Sequence, residues 1–274
     1  MKFQNPTQMP FDSKKLFIFD MDGTIYLGNQ PFDFAIRFIK NLRRNGKKVL
    51  FFTNNASHTD AFYLKKLERL GFDPLEDEIM TSGDVTLEFL KRYRSGKTVY
   101  LVATEELVEE YHAAGIPLLQ GDEKQADIVV TSFDTSLTYA KLESACRFIR
   151  EGAEYLSTHP DFNCPTETGF IPDSGAIAAL VTASTGKTPT YFGKPYRETI
   201  EMIGEATGYK REEMCIFGDR LYTDIALGKR FGVTSVLVLS GETQPYDVDA
   251  AQPEDQPDLV FASLADVDRI MFGA

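Results

Sequence analysis

The chain has 274 residues, 43% of them hydrophobic and 26% charged, which suits a soluble globular protein able to bury a sizeable core. Its 29 basic and 41 acidic residues leave a formal charge of −12, a surface that repels nucleic acid and anionic membranes. Cys146, Cys164 and Cys215 form no C-x-x-C pair, so neither a disulfide framework nor a zinc site is indicated, and Cys215 in "MCIFG" reads as a small core residue. The opening "MKFQNPTQMPFDSKK" has no apolar signal core, and no apolar run approaches the roughly 18 residues of a membrane span. The expected location is cytoplasmic.

In chain order, short apolar runs predict strands at Leu16–Phe19, Val49–Thr53, Ile79–Ser82, Val99–Ala103, Ile128–Ser132, Tyr155–Thr158, Thr190–Gly193, Cys215–Gly218, Ser235–Leu239 and Leu259–Ala262. Amphipathic helices are predicted between them, among others at Phe32–Asn45, Ala61–Leu70, Thr138–Glu151 and Arg197–Thr207. Gly46, Gly71, Gly152 and Gly208 follow these helices, as left-handed caps do. Strand–helix alternation with continuously apolar strands implies an α/β fold whose parallel sheets are covered on both faces. The polar stretches "TSGDVTLEF" and "TASTGKTPT" read as hinges around an inserted domain of residues 84–186, leaving 1–83 and 187–274 as the core. The segment "TQPYDVDAAQPEDQP" (243–257) reads as a surface loop.

Ligands of an open parallel sheet bind beyond the carboxyl ends of its strands. Asp20 follows "LFIF", Thr53-Asn54-Asn55 follows "VLFF", Gly193-Lys194-Pro195 follows "TYF", and Gly218-Asp219 follows "CIF", with Asp224 five residues on. Each motif alone has a bland reading as a turn, a cap or a surface lysine. Four acids, Asp20, Asp22, Asp219 and Asp224, converging at ~5 Å would repel by about 3 kcal/mol per pair at an effective dielectric near 20. A hard cation removes that repulsion, and oxygen-only donors select Mg²⁺ over Zn²⁺. Lys194 adds a charge for phosphate oxygens, and Thr53 and the backbone around Asn54 add hydrogen bonds. This set suits phosphoryl transfer, in which a carboxylate attacks phosphorus and a second acid moves the proton.

The series "DMDGT…TNN…GKP…GDRLYTD" resembles the four-motif signature of the haloacid dehalogenase-like (HAD) phosphatases. "GKP", the "TNN" form and the wide gap between the second and third motifs resemble the NagD/p-nitrophenylphosphatase-like subfamily, over nearly the whole chain. The resemblance implies a Rossmann-like, doubly wound core with an inserted α/β cap that selects the substrate. It implies Asp20 as nucleophile, Asp22 as general acid/base, and Thr53, Asn54 and Asn55 as phosphate-binding residues. Lys194 would neutralise the nucleophile and the phosphoryl group. Mg²⁺ would be held by Asp20, Asp219 and the Asp22 main-chain carbonyl, with Asp224 behind them. The expected reaction is Mg²⁺-dependent hydrolysis of a small phosphorylated metabolite, a sugar, polyol or nucleoside monophosphate, through an aspartyl-phosphate. A phosphotransferase or phosphomutase of the same fold, or a non-catalytic phospho-binding regulator, are the alternatives. The expected partner is that metabolite, not nucleic acid or a membrane, and a homo-oligomer is compatible with the sequence.

Two "GKT" triplets, Gly96–Thr98 and Gly186–Thr188, are not P-loops, because Lys91 and Val181 occupy the position of the leading glycine. The polar segment His159–Gly175 reads either as an ordinary surface loop or as the part of the cap that contacts the substrate, with His159, Asp161, Asn163, Thr166, Glu167 and Thr168 available.

Overall fold

The computed structural model describes residues 11–166 and 168–273, so Glu167 lies outside the described residues. In chain order the strands are β1 (Leu16–Phe19), β2 (Tyr26–Leu27), β3 (Gln30–Pro31), β4 (Lys48–Thr53), β5 (Ile79–Thr81), β6 (Val99–Val102), β7 (Ile128–Thr131), β8 (Glu154–Ser157), β9 (Asn163–Thr166), β10 (Gly169–Pro172), β11 (Thr190–Tyr191), β12 (Met214–Gly218), β13 (Thr234–Val238) and β14 (Leu259–Phe261). Every apolar run predicted as a strand forms one.

The described residues divide into two compact units, 11–53 with 61–80 and 203–273, and 54–60 with 81–202. The expected insert 84–186 lies wholly inside the second unit. That unit runs on to Met202, with β11 adding to its sheet through Thr190 beside Leu156 and Tyr191 beside Ser157.

The first unit is built on a six-stranded sheet of order β14-β13-β12-β1-β4-β5. β1 pairs in parallel with β12 and β4, and the parallel pairing continues from β12 to β13 and β14. The chain moves outward from β1 in one direction, then returns to β12 and moves outward in the other. The order therefore reverses between β1 and β12, where a doubly wound sheet opens its crevice. β1 is "LFIF", buried at every position because helices cover both faces. Phe217 of β12 stacks on Phe19 at 4.9 Å and on Phe17 at 6.0 Å between ring centroids, and Phe38 of the helix Asp33–Arg44 meets Phe19 edge-on. This aromatic layer sits directly beneath the ends of β1 and β12 and fixes them.

The second unit carries a four-stranded sheet of order β11-β8-β7-β6, with each recorded pair parallel. Tyr100, Val129, Phe148, Tyr155 and Val181 lie in its core.

The stretch 81–89, expected as a hinge, begins at the boundary between the two units and is the start of the helix Ser82–Tyr93, with Gly83 buried inside it. Thr81 and Asp84 form its capping box, a signal present in the sequence as T-S-G-D. Two sequence expectations are corrected. The polar segment His159–Gly175 is not one loop: β9 and β10 make an antiparallel hairpin, and the helix Ser174–Thr185 starts from Asp173. The 243–257 segment holds the helix Pro245–Ala250, with Gln244 and Asp247 as its capping box and Val248 buried. Among the described residues no helix is long and apolar enough to cross a membrane.

Candidate active site

At the switch point of the first unit, Asp20 leaves β1 and Asp219 leaves β12. The Asp20 amide donates to the Phe217 carbonyl at 2.8 Å, tying the two strand ends together. Asp224 stands on the single π-turn Leu221–Ile225, a helical irregularity that frequently marks functional sites. Asp20, Asp219 and Asp224 each bring a carboxylate oxygen within 4.8 Å of the others. Asp22 is exposed, and its carboxylate is not part of this group. Asp22 lies at the start of a tight turn in which the Ile25 amide donates to the Met21 carbonyl at 2.9 Å.

The turn needs Gly23. Its φ is +84°, and a Cβ there would overlap the Asp219 carboxylate. Gly241, after β13, stands equally close to the same carboxylate. The Glu242 amide donates to Asp219 Oδ2 at 2.7 Å, and Ser240 Oγ donates to the Gly23 carbonyl at 2.8 Å. The run Ser240-Gly241-Glu242 was not singled out in the sequence, although it too follows a strand end.

Asp219 Oδ1 is buried and has no hydrogen-bond donor among the described residues. Burial raises the Asp219 carboxyl to about 7, and the charges of Asp20 and Asp224 add to the effect. A buried carboxylate oxygen facing two further acids needs a positive charge. The oxygen-only donor set fits a hard divalent cation such as Mg²⁺. Arg220 is a further residue missed in the sequence. Burial opposes its charge, but Asp20 leads the groups that hold it protonated, and its Nε lies 3.0 Å from Glu242.

The second unit brings together another pair. Asn54 Oδ1 accepts from the Lys194 amide at 2.7 Å, and Asn54 Nδ2 donates to the Lys194 carbonyl at 3.0 Å. The same Nδ2 donates to Asp161 Oδ2 at 3.1 Å. Lys194 is 2% exposed. Thr53 closes β4 one residue before Asn54. Asn55 Oδ1 accepts from the Ser57 amide at 2.9 Å and hydroxyl at 2.7 Å, an Asx turn that shapes the segment. His159, considered above as a group available to a substrate, is wholly buried and bonded to Asp173, which corrects that expectation.

Residues 17–117 match a family described as haloacid dehalogenase-like hydrolase, and residues 191–267 match a second HAD-hydrolase-like description. A 4-nitrophenylphosphatase from Thermotoga maritima is 40% identical, with a TM-score of 0.89 over 96% of this chain and 99% of that one. The acid sugar phosphatase of Staphylococcus aureus strain MRSA252 is 35% identical over 236 residues, covering 85% of this chain and 90% of the relative. The chain belongs to the haloacid dehalogenase-like hydrolases. Its phosphatase relatives place it in the NagD/p-nitrophenylphosphatase-type branch. A glycerol phosphate phosphatase from Mycobacterium tuberculosis, solved in complex with magnesium, is 28% identical, with a TM-score of 0.85 over 94% of this chain and 77% of that one.

Proposed function

We propose that this phosphatase hydrolyses a small, polar phosphate monoester with Mg²⁺, through an aspartyl-phosphate on Asp20. The observation that carries the proposal is the convergence of Asp20, Asp219 and Asp224 around the donorless Asp219 oxygen. The magnesium complex of the mycobacterial relative supports the same cation. Asp20, Asp219 and the Asp22 main-chain carbonyl would hold Mg²⁺, with Asp224 behind them. When bound, the ion supplies positive charge to the phosphate oxygens and lowers the repulsion between Asp20 and an anionic substrate.

Asp20 attacks phosphorus with a carboxylate oxygen. Asp22, whose exposed carboxyl is two residues away, protonates the leaving oxygen and then takes a proton from the water that opens the acyl phosphate. Thr53 and Asn54 bind phosphate, with Asn55 shaping the segment beside them, and Lys194 neutralises the nucleophile and the transferring group. The inserted residues 84–186 act as the cap that selects the substrate, a sugar, polyol or nucleoside monophosphate. The acid sugar and glycerol phosphate phosphatases among the relatives support that class.

Phosphate release from a panel of these esters and from 4-nitrophenyl phosphate tests the reading. EDTA should abolish release and Mg²⁺ restore it, and Asp20→Asn should remove it by several orders of magnitude. Full activity after metal stripping, or appreciable activity in clean Asp20→Asn, would overturn the assignment.

A further inference from the structure

Beneath Asn54 the second unit buries a chain of polar groups to which the proposed chemistry gives no task. Asp173, His159 and Ser82 are all buried. His159 Nε2 lies 2.7 Å from Asp173 Oδ1, and its Nδ1 lies 3.1 Å from Ser82 Oγ and 3.0 Å from Thr158 Oγ1. Ser82 Oγ donates to the carbonyl of Asn54, and Thr158 Oγ1 donates to Ser132 Oγ. Both hydroxyl protons are therefore committed elsewhere, so Nδ1 must donate to the hydroxyl oxygens while Nε2 donates to the carboxylate. The ring carries two protons and forms a buried ion pair with Asp173. Burial lowers the imidazole pKa, but Asp173 and then Asp161 outweigh it and hold it above its ordinary value.

We infer that Asp173 and His159 are positioning residues that act through Ser82 on Asn54, and through Asn54 on Lys194. Ser82 fixes the Asn54 carbonyl, while the Asn54 amide group holds both ends of the Lys194 residue. Gly193 keeps the assembly close-packed: a Cβ there would lie 2.8 Å from Asn54 Oδ1 and 2.8 Å from His159 Cβ. Asp161, the second acceptor of Asn54 Nδ2, bounds the group on its other side. Such a core of fully bonded polar groups has one arrangement, and displacing any link moves the next. The inference rests on the assignment of Asn54 and Lys194 to phosphate binding.

The test is a double-mutant cycle in kcat/KM for 4-nitrophenyl phosphate, with melting curves for every variant. Ser82→Ala removes the link and leaves the His159–Asp173 pair in place. It should lower kcat/KM by roughly ten- to a hundredfold while the protein stays folded, the size of a sub-ångström to ångström misplacement. In the Asn54→Ala background the same change should have an effect of about twofold or less, because the two residues act as one unit. A loss of the same size in both backgrounds, or no loss from Ser82→Ala alone, overturns the inference. His159→Gln and Asp173→Asn should repeat the pattern, and if either fails to fold, Ser82→Ala still decides. Asp20→Asn and Asn54→Ala are the controls for the underlying reading. Unchanged kcat/KM in Asn54→Ala rejects the phosphate-binding assignment and this inference with it. A strong Asn54→Ala defect combined with an additive Ser82→Ala effect rejects this inference alone.

Discussion

Asn54 holds Lys194 as one strand holds another, accepting from its N–H at 2.7 Å and donating to its C=O at 3.0 Å with a single side-chain amide. Carbonyl oxygen and NH₂ must both be present, and their order is fixed by the Lys194 backbone. Asn54→Asp replaces the donor with a second acceptor and sets a charge against the Lys194 carbonyl and the Asp161 carboxylate. Asn54→Ala leaves the buried Lys194 N–H and C=O without these partners, at about 1–3 kcal/mol each. Both variants should melt several degrees lower, Asn54→Asp the more so, and kcat/KM for 4-nitrophenyl phosphate should fall by at least about a hundredfold. Wild-type melting and kinetics in Asn54→Asp would show that the grip does not matter.

Gly23 and Gly28 share a left-handed backbone, with φ +84° and +59°, but have different surroundings. A Cβ at Gly23 runs into the Asp219 carboxylate, whereas at Gly28 it meets nothing within 4 Å. Gly28→Ala should therefore show only the left-handed penalty, about 1–2 kcal/mol, and keep its activity. Gly23→Ala adds displacement of Asp219 and should lose most of its phosphate release and its response to Mg²⁺. Equal kinetics in the two alanine variants would refute the steric account.

Asp84 and Glu110 form a second acid pair, remote in sequence from the phosphatase motifs. Burial raises the Asp84 carboxyl, but a hydrogen bond with Glu110 and the donors to its Oδ2, the Thr81 amide at 2.6 Å and hydroxyl at 2.8 Å, favour its charged form. The proton therefore resides on Glu110, whose carboxyl burial raises to about 9, with the charge and hydrogen bond of Asp84 and the charge of Asp60 adding to it. A carboxyl with a raised folded pKa favours folding least at high pH. Its penalty is absent below the ordinary value near 4.5, grows as pH rises, and levels off above about 9. Glu110→Gln keeps a donor for Asp84 and removes the titration. It should melt a few degrees higher than wild type at pH 9 and nearly level with it at pH 4.5. A constant difference across that range would show that Glu110 does not titrate in this way.

Eight of the ten strands of the two larger sheets were legible as buried apolar runs flanked by turn residues, as cover on both faces requires, while the edge strands β11 and β14 have no buried residue and were legible from their short apolar or aromatic runs alone. The acid cluster was legible for a related reason: Asp20 and Asp219 stand where such runs end. The hairpin β9–β10 was not, because "NCPT" and "GFIP" show no apolar alternation and stay largely exposed. His159 was misjudged because its burial depends on Ser82 and Asp173, 77 and 14 residues away, and polar neighbours in sequence gave no sign of it. The helix at Ser82 was not read from the sequence, although Thr81 and Asp84 carried its capping signal.

With His159 buried, the proposed substrate-selecting role of the second unit points to its exposed hairpin, β9–β10. Asn163, Thr166 and Thr168 are exposed on it, as are Phe162 at 59% and Phe170 at 76%. Large aromatic groups standing in solvent beside hydroxyl and amide groups suit the stacking face and the hydroxyls of a sugar or nucleoside. The residues proposed above address the phosphate, the metal, the attacking oxygen or, for Asp22, the proton of the leaving oxygen, and none reads the rest of the leaving group. Asn163→Ala, Thr166→Ala and Phe170→Ala should therefore redistribute kcat/KM among sugar, polyol and nucleoside monophosphates by about tenfold or more. Activity on 4-nitrophenyl phosphate should change several-fold less. Melting should barely move, since exposed side chains away from the core rarely shift stability by more than about 0.5 kcal/mol. Equal losses on every ester, or unchanged preferences, would assign substrate choice to another part of the unit.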